Sequence, residues 1–172
     1  REAGFEAPIH VVSLPLHLKM TLDKYPDYDP AVKKKPIVVY SSRLDKEKNP
    51  FFMMEVAKKY LKEFPAAEWH VTTSGKEFKS MLPGVIDALY KLADEMPNFK
   101  LLKNLTKQEY YKELAEAKIQ FNSSLQDYVS WTVLESTAFG CDMVFPDFRS
   151  FPEFIPADRL YTAFNVGSAV IR

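Results

Sequence analysis

Ile37-Val38-Val39-Tyr40 is an apolar run with no polar break, and a helical pattern follows it. A strand with one wet face alternates apolar and polar residues. A continuous apolar run bounded by turn chemistry is instead covered on both faces, the habit of parallel sheets. Parallel neighbours need a crossover of about a dozen residues or more, usually a helix. The chain supplies one. Asn49-Pro50 opens it, with asparagine at the cap and proline at the first helical position. Met53, Val56, Ala57, Tyr60, Leu61 and Phe64 then recur three and four apart on one face.

The alternation continues along the chain. Glu68 to Thr73 reads as a strand. A helical region runs from Gly75 to about Met96, with Pro83-Gly84 expected to kink or split it. Phe99 to Leu102 is a short strand, and Thr106 with Glu109 forms a capping box for a helix ending near Ala117. Ile119 to Phe121 and Met143 to Phe145 are strands flanking a helix that Gly140 closes. Pro152 to Ile155 is expected as a short helix and Leu160 to Phe164 as an edge strand. The fold class is therefore α/β, a Rossmann-like parallel sheet with helices on both faces. Ile9 to Leu14 could form a further strand, but Pro26-Asp27-Tyr28-Asp29-Pro30 is loop chemistry. Residues 1–35 accordingly read as an inter-domain connection, and 36–172 as the folded domain. The opening residue Arg1, in place of methionine, fits a piece of a longer protein.

Lysine plus arginine equals aspartate plus glutamate, at 23 each, which removes the case for generic attraction to nucleic acid or a membrane surface. Lys33-Lys34-Lys35 reads as a solvated approach to the first buried strand. Cys141 is the only cysteine, so no internal disulfide forms and a reducing, cytoplasmic setting is expected. No stretch approaches the ~20 apolar residues of a transmembrane helix. His10, His17 and His70 are scattered without zinc spacing, so no metal site is expected and each histidine is read as core or surface.

Ligands of open α/β sheets bind beyond the carboxyl ends of the strands. The segment Ser41 to Asn49 follows the first strand and brings Arg43 and Lys48 to that edge. Asp127 and Glu135, with seven residues between them, straddle the start of the Gly140-closed helix. Glu135 lies about 7–8 Å along the axis from Ser130. The helix start at Ser130 and Trp131 offers unpaired N–H groups and a positive dipole end, which suit a phosphate. Arginine can bind a diphosphate bidentately, and lysine acts as a point charge. Lys103-Asn104-Leu105 follows another strand, and its backbone could bond a base edge. The same residues could also be ordinary surface charges, Arg43 and Lys48 beside Asp45 and Glu47, and Asp127 as a turn residue.

In order and spacing these residues resemble the C-terminal, donor-binding domain of retaining GT-B glycosyltransferases, most closely glycosyltransferase family 4. Ser42-Arg43-Leu44 with Lys48 is similar to the family's Gly-Arg-Leu motif and following lysine. Asp127 and Glu135 stand at its paired glutamates, Gly140 at its later glycine and Pro152-Glu153 at its Pro-Glu. The resemblance spans about Pro36 to Val166 and implies one half of a GT-B architecture. It implies that Arg43 and Lys48 bind the donor diphosphate and Asp127 contacts the donor sugar, these three forming the catalytic set. Glu135 would bind the ribose, with Ser130, Trp131, Asn104 and Leu105 completing the nucleotide-sugar site. The donor would be a nucleotide-diphosphate sugar such as a UDP- or GDP-sugar, used without metal or cofactor. An N-terminal acceptor domain lying outside this chain is also implied.

The chain departs from the family at Asp127, one methylene shorter than glutamate, and at Ser42 and Ser130, which replace glycines. These departures motivate a second expectation, a catalytically degenerate domain that serves as a binding module. A flavodoxin-like or response-regulator module would need an acidic cluster at a strand end, and none is found.

Overall fold

The computed structural model describes residues 17–127 and 130–171, so the Ile9–Leu14 run and His10 lie outside the described residues. Its strands are β1 (Lys35–Tyr40), β2 (Glu68–Thr72), β3 (Phe99–Leu102), β4 (Ala117–Phe121), β5 (Asp142–Asp147) and β6 (Leu160–Thr162). They form one sheet in the order β3-β2-β1-β4-β5-β6, and every pairing is parallel. The order reverses between β1 and β4, the switch point at which doubly wound sheets open a crevice. The helices are α1 (Leu18–Leu22), α2 (Pro50–Glu63), α3 (Val85–Glu95), α4 (Lys107–Glu116), α5 (Trp131–Ala138) and α6 (Val166–Ile171).

The unbroken apolar run of β1 divides between two cores. Val38 and Tyr40 join Trp69, Val71 and the α2, α3 and α6 side of the sheet. Ile37 and Val39 face the opposite way, onto Tyr111 and Leu114 of α4 and onto Phe139. Val39 is 0% exposed and Val38 2%; burying each such side chain contributes roughly 1.5–3 kcal/mol. On the first face the aromatic rings of Trp69, Phe121 and Tyr161 follow one another at centroid distances of 5.1 and 5.5 Å, linking β2, β4 and β6.

Several expectations are refined or corrected. Residues 73–84 contain no helix, and only Val85–Glu95 is helical. The loop is held by specific bonds: Ser80 Oγ donates to the Leu44 carbonyl at 2.6 Å, and the Met81 amide donates to Asp45 Oδ1 at 3.1 Å. Phe78 inserts into the core from the same loop, and Gly84 at φ 76° turns the chain into α3. Asn49 caps α2 with Pro50 at its first position, as expected, but it adopts a left-handed conformation at φ 47° and its side chain makes no cap bond. Pro152 lies in a 3₁₀ turn, Phe151–Glu153, and α6 was not anticipated. The capping box behaves as expected, with Thr106 and Glu109 bonding reciprocally at the start of α4.

The lysine run is only partly solvated. Lys33 and Lys35 are exposed, whereas Lys34 is half-buried. Its ammonium donates to the carbonyls of Leu114 at 3.2 Å, Ala115 at 2.6 Å and Phe139 at 2.6 Å. Helix C-termini leave carbonyls unpaired and carry a negative dipole end. One cation therefore caps α4 and α5 together. Tyr28 supports the same joint, its ring edge-on to Phe139 at 5.0 Å. Removing the ammonium in Lys34→Met strands these carbonyls, so unfolding in urea should show a loss of about 2 kcal/mol.

His70 on β2 is buried between two carboxylates, with Nδ1 2.7 Å from Glu113 and Nε2 2.9 Å from Glu68. Burial pulls the imidazole down, but the bonds to Glu113 and Glu68 outweigh it and the pKa is raised above 6.5. Glu68 is held below 4.5, chiefly by the hydrogen bond from Lys100. A raised histidine stabilises the fold fully below 6.5, and that stabilisation is lost as pH rises through the higher folded value. A depressed carboxylate acts oppositely, stabilising above 4.5 and losing its contribution as pH falls through the lower folded value. Stability measured against pH should therefore fall on going upward from 6.5, and His70→Gln should remove that descent.

Candidate functional site

A crevice of about 1350 Å3 opens at the carboxyl edge of the sheet. The β1–α2 loop forms one wall with Ser41 to Asp45, and the β2–α3 loop forms a second with Thr73 to Met81. The starts of α4 and α5 close the remaining side through Lys107, Tyr110, Trp131 and Glu135. Among the expected site residues, Arg43, Leu105, Trp131 and Glu135 line this space, whereas Lys48, Asp127, Ser130 and Asn104 do not.

Glu135 is nearly buried, and two donors hold its Oε1. The Lys107 ammonium lies 2.5 Å away and the Tyr111 hydroxyl donates at 3.0 Å. Among the described residues no hydrogen bond of 3.5 Å or less reaches Oε2, and the Tyr110 hydroxyl stands near the carboxylate. Tyr111 is pushed above the usual phenol range by burial first and by the Glu135 charge second, so it remains a protonated donor. Tyr110 is raised for the same reasons, and its hydroxyl meets Ser41 Oγ at 3.2 Å. Lys107 sits over both rings, 5.0 Å from the Tyr110 centroid and 4.9 Å from that of Tyr111.

Arg43 projects into solvent with its side chain 72% exposed, and its guanidinium bonds Asp45 at 3.1 Å and Glu47 at 2.7 Å. Exposed pairs of this kind contribute about 0–1 kcal/mol, so an incoming anion can displace them. Lys48 is different. It is largely buried and bonds Asp127 Oδ2 at 3.1 Å and the Gln126 carbonyl at 3.3 Å. The expected phosphate-binding lysine and sugar-contacting aspartate thus neutralise each other beside the crevice.

Ser130 is buried, and its Oγ is 2.6 Å from Thr132 Oγ1 instead of capping a backbone amide of α5. Trp131, in the first turn, is 55% exposed at the crevice mouth. Asn104 takes a left-handed turn at φ 57°. Its amide donates to the Gly75 carbonyl at 2.8 Å, and the Leu105 amide donates to Thr73 at 3.1 Å. Pro152-Glu153 is exposed away from the crevice, while nearby Ser150 donates to the Asp127 carbonyl at 3.3 Å. Gly140 at φ 64° ends α5 in the left-handed region that favours glycine. Among the described residues no three His, Cys, Asp or Glu side chains cluster to hold a metal ion.

Sequence reasoning missed Lys107, Tyr110, Tyr111 and Ser41. A signal existed in the capping box, because Thr106 fixes Lys107 as the first helical residue and so sets Lys107 and Tyr111 one turn apart on one face.

No protein-family model matches the chain, and no curated protein matches it in sequence. Solved structures do match in fold. A TarM variant from S. aureus, in complex with fondaparinux, α-GlcNAc-glycerol and UDP, superposes with a TM-score of 0.67 at 19% identity over 81% of this chain. The pneumococcal O-GlcNAc transferase GtfA, in complex with UDP and GlcNAc, gives 0.64 at 14% identity over 83% of this chain. A UDP-forming trehalose-phosphate synthase from Burkholderia xenovorans gives 0.67 at 11% over 90%. The likeness is one of fold. It bears out the expected α/β, Rossmann-like parallel sheet with helices on both faces. This chain spans 28%, 28% and 40% of the lengths of those three structures.

The Lys48–Asp127 pair is partly buried, so its members should be energetically coupled. A double-mutant cycle with Lys48→Met and Asp127→Asn, followed by denaturant unfolding, should give a coupling of about 1 kcal/mol or more. Additive effects would mean that the pair is only an incidental contact.

Proposed function

We propose that this domain binds a nucleotide-diphosphate sugar, such as a UDP- or GDP-sugar, as the donor half of a retaining glycosyltransferase of the hexosyltransferase type. The observation that carries this reading is the Glu135 carboxylate, fixed in the crevice wall with Oε2 unbonded among the described residues. A carboxylate oxygen of that kind suits the paired hydroxyls of a ribose. Arg43 lines the same crevice on weak, exposed ion pairs and is suited to exchange them for a diphosphate. The amides of Asn104 and Leu105 are bonded within the fold, which leaves their carbonyls to accept from a base edge. The UDP in two of the structural neighbours agrees with such a ligand.

In transfer, the bond from the anomeric carbon to the phosphate oxygen breaks and negative charge develops on the diphosphate. Arg43 and the N-terminus of α5 would stabilise that charge without a metal. Asp127 would reach the donor sugar only after exchanging its bond to Lys48, and Lys48 would then be released to the phosphates. The acceptor would be held by an N-terminal domain beyond this chain, and a cytoplasmic setting rests on the single Cys141.

The closed Lys48–Asp127 pair and the occupied Arg43 fork favour a second reading, in which the domain keeps the fold to bind a partner. Calorimetry separates the two. On the donor reading, UDP-, GDP- or ADP-sugar binds the wild type, and Glu135→Ala and Arg43→Ala each weaken it about tenfold. Arg43→Ala should leave affinity for the bare nucleoside unchanged. Heat-silent titrations with every nucleotide would reject the donor site and leave the partner-binding reading.

A further inference from the structure

We propose that Lys107 is a positioning residue that makes the site selective for ribonucleotides, by holding the Glu135 carboxylate in the one rotation that presents Oε2 to a vicinal diol. The proposal rests on the donor-site reading. A carboxylate on a free side chain rotates, and either oxygen can then accept from water or ligand. At Glu135 that freedom is removed. Lys107 and Tyr111 converge on Oε1 from α4 at 2.5 and 3.0 Å, and no described residue bonds Oε2. Lys107 is itself restrained, with its ammonium set over the rings of both Tyr110 and Tyr111. Its side chain is 49% exposed while that of Glu135 is 11% exposed, so the lysine borders open solvent and the carboxylate meets it only through the crevice.

A lysine serving only to neutralise a buried carboxylate would affect all crevice ligands alike. One that orients the carboxylate matters only to ligands carrying the hydroxyls that Oε2 receives. The two roles therefore differ in a measurable ratio.

The experiment compares UDP with 2′,3′-dideoxy-UDP by calorimetry on the full chain. Wild type should prefer UDP. Lys107→Met should weaken UDP about tenfold and leave the dideoxy nucleotide within about twofold, so that the preference collapses. Lys107→Arg, which keeps a donor cation, should restore most of the preference, and Tyr111→Phe should erode it in the same sense. Equal losses for both nucleotides in Lys107→Met would overturn the positioning role while leaving the donor site intact. Failure of the wild type to bind UDP or its dideoxy analogue would instead defeat the donor reading, and this proposal with it. Because Lys107 is half exposed, the variant is expected to fold, and thermal unfolding beside the wild type verifies that.

Discussion

The parallel pairing of β1 with β4 is the constraint on which the rest of the molecule depends. β1 also pairs with β2, so it is the strand from which the sheet grows in both directions. Its side chains enter the two opposed cores in alternation. Growth in opposite senses sends the following loops to opposite sides, and the edge between them cannot close. The crevice is a topological consequence of this order, present whatever residues line it.

What lines it is a matter of charge pairing. Asp45, Glu47, Asp127 and Glu135 at this edge each have a cationic partner, but the environments differ. Arg43 shares Asp45 and Glu47 in open water, where pairing is cheap to exchange. Lys48 and Asp127 are paired with little solvent access, where exchange requires a replacement ion of equal quality. Glu135 is satisfied on one oxygen only. The site is thus graded from labile to fixed, and an entering anion would meet the labile cation first.

Much of the architecture was legible because its signals are local. Ile37 to Tyr40, Phe99 to Leu102 and the Thr106–Glu109 box each report on neighbours a few residues away, and each matches the observed element closely. The 75–84 segment misled for the complementary reason. Its helical spacing is real, but Ser80 and Met81 bond to Leu44 and Asp45, more than thirty positions earlier in the chain. The site divides in the same way. Glu135 and Arg43 could be placed at the crevice from strand order, whereas the Lys48–Asp127 pair joins residues 79 positions apart and the Lys107–Glu135 pair residues 28 apart. Charge at a sheet edge is visible in a sequence; the partner that neutralises it is not.

The joint at Lys34 ties together two helices that also meet beside the crevice. α4 begins at the crevice with Lys107 and α5 with Trp131, and both finish at carbonyls bound by one ammonium, Glu135 lying one turn before the α5 end. Sliding either helix along its axis would stretch the bonds to the Lys34 ammonium. Lys34 thus anchors the two helices that carry Lys107 and Glu135 without touching either residue.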